Sequence, residues 1–102
     1  MRLCALGLVS LGLVTSAHAQ SFNCRYARTP DEVAICESAR LSALDERLSS
    51  RFFRLRDSLY GPDRARLDRS QAGWLNARQQ CGSDRACIGA AYRARLAELS
   101  GW

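Results

Sequence analysis

At 102 residues the chain has room for one domain and one modest core, which excludes a multidomain assembly. With 47% hydrophobic and 25% charged residues, its composition is that of a folded chain rather than a disordered one. The formal net charge of +5 rests on arginine without any lysine, so an anionic partner is permitted but not required.

The first segment, residues 1–19, reads as a secretory signal peptide. Arg2 precedes an apolar run from Leu3 to Val14, and Ala17-His18-Ala19 supplies the small-residue end that places cleavage before Gln20. The run is too short for a permanent membrane anchor. Cys4 leaves with the leader and lies too far upstream of the cleavage site to carry a lipid. Residues 20–102 then form a secreted or periplasmic domain, soluble after cleavage, with a net charge of +4 once Arg2 is gone.

Cys24, Cys36, Cys81 and Cys87 remain, an even set in a short exported chain, and therefore a disulfide framework. Of three connectivities, Cys24–Cys36 with Cys81–Cys87 is preferred because local structure can close each pair. Loop closure then contributes about 2.5–3 kcal/mol per bridge. Zinc is the competing use of four cysteines, but the Cys-x11-Cys and Cys-x5-Cys spacings do not fit short metal knuckles. No metal or cofactor is expected.

Thr29-Pro30-Asp31-Glu32 opens a first, short helix: Thr29 caps, Pro30 fits the first position and Glu32 reaches back. It ends near Cys36-Glu37-Ser38. A second helix runs from about Ala39 to Leu59, where Leu41, Leu44, Leu48, Phe52, Leu55 and Leu59 form one apolar stripe. Tyr60-Gly61-Pro62-Asp63 breaks it and starts a third helix that reaches about Gln80. Cys81-Gly82-Ser83-Asp84 is a tight turn, and a fourth helix covers roughly Asp84 to Leu99.

The third helix places Leu67, Gln71, Trp74, Arg78 and Cys81 on one face, so two polar side chains interrupt a core-facing stripe. A buried arginine needs a carboxylate and further hydrogen bonds. If the second and third helices form an antiparallel hairpin about Gly61-Pro62, Asp45 is level with Arg78. An Asp45–Arg78 pair is therefore predicted, with Gln71 and Trp74 beside it. Arg95 shares a face with Ile88, Tyr92 and Leu99 and should also be partly buried. The expected fold is an all-α, disulfide-stapled bundle: a long antiparallel helix hairpin with a short N-terminal helix and a C-terminal helix.

These residues also carry a resemblance. Phe22-x-Cys24, Ala27-Arg28-Thr29-Pro30-x-Glu32-x-Ala34-Ile35-Cys36 and Leu41-x-x-Leu44-Asp45 resemble the first half of the LprI-type lysozyme-inhibitor domain. Gln71-x-x-Trp74-Leu75-x-x-Arg78-x-x-Cys81 and Cys87-Ile88-x-x-x-Tyr92-x-x-Arg95-Leu96 resemble its second half. The likeness covers about Phe22 to Leu99. It implies a small exported bacterial helical domain with two disulfides, and lysozyme as a protein partner to be inhibited.

Candidate contact residues are Arg47, Arg51, Phe53 and Arg54. With Arg40, the arginines form one side of the second helix and read either as a grip on an anionic partner or as a solvated face, the latter preferred. Phe53 points about 135° from the apolar stripe. Cover by a flanking helix is its preferred reading; an exposed anchor for a partner is the other. Trp102 is expected to fray at the terminus. An arginine-rich envelope module for anionic glycan, lipid or nucleic acid is the alternative to lysozyme inhibition, with nucleic acid the less favoured ligand. Catalysis is not expected: the only histidine, His18, lies in the leader, the cysteines are paired, and no acids form a recognisable catalytic pair.

Overall fold

The computed structural model describes residues 21–102; the expected leader, Cys4 and the cleavage site lie outside the described residues. A 3-10 turn at Cys24–Tyr26 precedes four helices: α1 (Pro30–Cys36), α2 (Ala39–Asp57), α3 (Gly61–Gln80) and α4 (Arg85–Ser100). The described residues are all-α and contain no strand.

Local chemistry sets each boundary. The Glu32 carboxylate accepts from the Thr29 backbone N–H at 3.3 Å, closing the capping box with Pro30 at the first helical position. Ser38 Oγ accepts from the Leu41 N–H at 3.2 Å and starts α2. Asp84 accepts from the Cys87 N–H at 3.1 Å and starts α4. Between α2 and α3 the chain reverses through Gly61 at φ +51°, a left-handed backbone that glycine adopts without a Cβ clash. Two arginines brace this corner. Arg64 Nε donates to the Arg56 carbonyl oxygen at 3.2 Å, which also accepts from the Leu59 N–H, and to that of Leu59 at 3.1 Å, adding a partner to the last carbonyls of α2. Arg56 grips Asp68 through two bonds of 2.8 and 3.0 Å and holds that carboxyl below its ordinary pKa.

Two disulfides staple the ends. Cys24–Cys36 ties the 3-10 turn to the end of α1, with Cα atoms 5.8 Å apart. Cys81–Cys87 joins the end of α3 to the first turn of α4 across 5.6 Å.

The predicted hairpin is present, and its packing is shared with the flanking helices. α2 and α3 do run back from a tight corner, but α2 packs chiefly on α4 and α1, while α3 leans on α4. The core consists of Ala34, Ile35, Leu41, Leu48, Phe52, Leu67, Ile88, Tyr92 and Leu99, with members from every helix. α4 supplies its middle. Tyr92 is wholly buried, and Gly89 faces Leu41 of α2, where even an added Cβ would sit in ordinary contact, 3.7 Å from Leu41 Cδ2. Two further expectations fail. Phe53 is not covered: it is 53% exposed and touches Phe52 edge-on at 5.2 Å. Trp102 does not fray but packs against the core, with the Arg66 guanidinium 4.2 Å above its ring.

Candidate partner-docking groove and its polar floor

Four side chains from four helices meet in one buried chain of bonds. Arg78 Nε on α3 donates to Asp31 Oδ2 on α1 at 2.7 Å, and both side chains are at least nine-tenths buried. Arg78 also donates to the Tyr92 hydroxyl of α4 at 3.2 Å. That hydroxyl donates in turn to Asp45 Oδ1 on α2 at 2.7 Å. Asp45 accepts two more bonds, from the Ser21 backbone N–H at 2.7 Å and Ser21 Oγ at 2.9 Å. Thr29 Oγ donates to the remaining oxygen of Asp31. Arg78 thus pairs with one buried carboxylate, Asp31, while the other, Asp45, is held by neutral donors alone, so the acceptors are filled as burial requires.

The direct Asp45–Arg78 pair is therefore replaced by Asp31–Arg78, with Tyr92 inserted between Arg78 and Asp45. The level was right; α4 fills the gap that a close α2–α3 hairpin would have lacked. Asp31 does carry a signal in the sequence: it lies three and four residues before Ala34 and Ile35, on the apolar face of α1. Nothing comparable marks Ser21.

Burial pushes the Asp31 carboxyl up, but hydrogen bonds from Thr29 and Arg78 outweigh it and hold the pKa below the ordinary value. Burial likewise opposes the Arg78 charge, yet Tyr92 and Asp31 raise its pKa overall. Burial, and then the charge of Asp45, push the Tyr92 phenol far above its usual value. Asp31, Arg78 and Tyr92 of this network are all shifted away from proton exchange near neutrality. Its chemistry is architectural.

A second buried arginine follows another plan. Arg95 Nε donates to Gln71 Oε1 at 3.0 Å, and its terminal nitrogens reach Ser70 Oγ at 2.9 Å and Glu98 Oε1 at 3.1 Å. Half-buried Trp74 donates from Nε1 to the Ala91 carbonyl at 3.0 Å and meets the Tyr92 ring at 5.1 Å.

Above the first network lies an open groove of about 280 Å³ between α2, α3 and the N-terminal segment. Phe22, Phe53, Trp74 and Leu75 give it an apolar lining, and Asp45 and Arg78 reach its floor. Phe22 and Trp74 lie 5.6 and 5.7 Å from the Arg78 guanidinium, shielding it from solvent. Phe53 and Leu75 are the exposed apolar residues at this site. Arg47, Arg51 and Arg54 are not part of it. They border a different depression with Glu46 and Leu96, where Arg51 donates to Ser100 Oγ at 3.0 Å. The four candidate contact residues therefore separate into an aromatic and an arginine face.

Together these features define a class: a small, disulfide-stapled helical domain with an ionic core and a shallow apolar groove. No group of histidine, cysteine or acidic side chains among the described residues is arranged to hold a metal, and no described helix is long and apolar enough to cross a membrane. The sequence profile of the family described as lysozyme inhibitor LprI matches residues 24–100, and the chain belongs to that family. It is 31% identical over 84 residues to lipoprotein LprI of Mycobacterium tuberculosis and of Mycobacterium bovis, a match that takes in 79% of this chain and 41% of each relative. The chain thus spans about two fifths of the length of the curated relatives it matches. No solved structure matches it significantly.

Proposed function

We propose that this domain is a non-catalytic inhibitor that binds lysozyme stoichiometrically outside the cytoplasm, reached through the leader at residues 1–19. The family match over residues 24–100 carries this reading. The groove supports it physically: Phe53 stands 53% exposed beside exposed Leu75, on helices braced by the Arg56–Asp68 pair and by the buried network. A rigid aromatic anchor loses little side-chain freedom on docking and is the residue type that dominates interface energetics. The acids Asp31, Asp45, Asp68 and Asp84 all serve caps or ion pairs and hydrogen bonds within the fold, which fits a binder better than a catalyst.

Charge shapes the encounter. A basic inhibitor approaching a basic lysozyme of the animal type meets long-range repulsion, so association should speed up with added salt. The deciding experiment is lysis of peptidoglycan by such a lysozyme, titrated with the oxidised domain. Inhibition that saturates near one-to-one, and disappears on reduction of the disulfides, is the expected result. Absence of inhibition at micromolar concentration would reject this target.

A further inference from the structure

A second surface, remote from the groove, carries chemistry of its own. Arg40 in the first turn of α2, with Arg85 and Arg93 of α4, borders a depression of about 390 Å³ whose other sides are Ser38, Leu41, Ala86 and Gly89. No carboxylate lines it. The depression beside Arg47, Arg51 and Arg54 differs in this respect, because Glu46 lines it. Most arginines of the core and of the α2–α3 corner have partners: Arg56 has Asp68, Arg78 has Asp31 and Tyr92, Arg95 has Glu98 with Gln71 and Ser70. Arg40, Arg85 and Arg93 have no ion pair or side-chain hydrogen bond to any described residue. The acid next in sequence, Asp84, is engaged in capping α4. Glu37 lies in a neighbouring depression that Arg85 shares with Arg28.

Gly89 gives the depression its form. A Cβ at this buried position would meet the terminal nitrogen of Arg93 at 3.3 Å, so the guanidinium lies across bare helix backbone. Three like charges gathered in one concave surface repel each other, and an anion bound among them would relieve that repulsion. Each guanidinium presents a planar fork matched to oxyanions. A single carboxylate offers one charge and two oxygens; a phosphomonoester offers about −1.5 to −2 and three acceptor oxygens. The volume exceeds that of the phosphate alone and lies within the usual range for small-ligand sites, about 300–1,000 Å³. We propose that Arg40, Arg85 and Arg93 form a binding site for a phosphomonoester group carried on a larger molecule, a sugar phosphate or a phosphorylated lipid headgroup.

The test is an amide-shift titration of the oxidised protein with inorganic phosphate, against sodium chloride at matched ionic strength. The same protein is then mixed with phosphatidylcholine vesicles, with and without phosphatidic acid. Phosphate should give saturable shifts at Ser38–Leu41 and Arg85–Gly89 that chloride does not reproduce. Arg93→Gln should weaken phosphate binding about tenfold, the effect of losing one charge-assisted contact. Arg54→Gln, on the other arginine face, should leave it unchanged. Gly89→Ala should weaken it while the thermal midpoint holds, because the added methyl displaces the guanidinium rather than the backbone. Capture by phosphatidic acid vesicles that Arg93→Gln abolishes would identify the lipid source; saturable phosphate shifts without vesicle capture would identify a soluble phosphoester. Shifts that follow ionic strength alone, or equal losses in Arg54→Gln and Arg93→Gln, would overturn the proposal.

Discussion

Arg78 and Arg95 are both buried, 4% and 3% exposed, yet their surroundings solve the problem of a buried cation in different ways. Arg78 faces a carboxylate, Asp31, that is itself only 1% exposed, and the pair is extended through Tyr92 to Asp45. Arg95 uses the neutral oxygens of Gln71 and Ser70, and its one carboxylate, Glu98, keeps 61% of its side-chain surface in solvent. Besides burying Asp45, the first arrangement commits both charges of its ion pair to the interior. The second keeps one of them in water, which lowers the desolvation cost but leaves a weaker pair. The contrast teaches that a buried arginine on a helix face need not imply a buried acid.

Substitutions can break this contrast from the strong end. Arg78→Ala should lower stability by about 3–5 kcal/mol, because Asp31 is left charged and unpaired in the interior. Chemical denaturation gives the value directly, and a near-neutral change would show that water reaches Asp31. The double change Asp31→Leu with Arg78→Met should recover most of that loss, since an apolar pair of similar volume often equals a buried ion pair. Arg95→Ala should cost less, about 1–3 kcal/mol, as the groups it leaves behind are neutral or already wet. Equal losses in the two single variants would dissolve the distinction.

Acid and alkali sharpen the same comparison. The folded-state pKa of Asp31 lies below its unfolded value, so its contribution is complete above about pH 4 and is lost as the pH falls further. Asp31→Asn should flatten this acid limb of the stability–pH profile, whereas Arg95→Ala should retain it. The Tyr92 pKa is raised in the fold, so its contribution is present below about pH 10 and declines above. Tyr92→Phe should cost about 1–2 kcal/mol at neutral pH and flatten the alkaline limb. An unaltered alkaline limb would mean that the phenol reaches solvent. The smallest stability effect belongs to the groove. Phe53→Ala should change stability by no more than about 0.5 kcal/mol yet weaken lysozyme inhibition severalfold. Full inhibition by that variant would move the interface away from the groove.

Local signals in the sequence locate most of the helices. The Thr29–Glu32 box, Gly61-Pro62 and the Asp84 cap mark ends that chemistry within a few residues decides. The two disulfides were legible for the same reason. The burial of Arg78 and Arg95 followed from helical periodicity. What periodicity does not contain is which helix faces which. Setting α2 directly on α3 paired Arg78 with Asp45, whereas α4 inserts Tyr92 and α1 brings Asp31. Periodicity places Tyr92 on one face with Ile88, Arg95 and Leu99, but its hydroxyl has no role until two other helices meet at it. Phe53 stays exposed for a related reason: the groove opens where a flanking helix would have covered it. For the candidate site, the residue types were visible but their separation into two faces depended on tertiary placement.

The Tyr92 hydroxyl has a consequence for how this sequence can drift. It accepts from α3 and donates to α2, so neither neighbour can change without altering what the other touches. Replacing Asp45, Arg78 or Tyr92 alone strands a partner, and the compensated combinations lie two or more substitutions away through weakened intermediates. The exposed rim at Phe53 and Leu75 carries no such linkage. Rim residues can therefore be exchanged one at a time on a frame that changes only in concert.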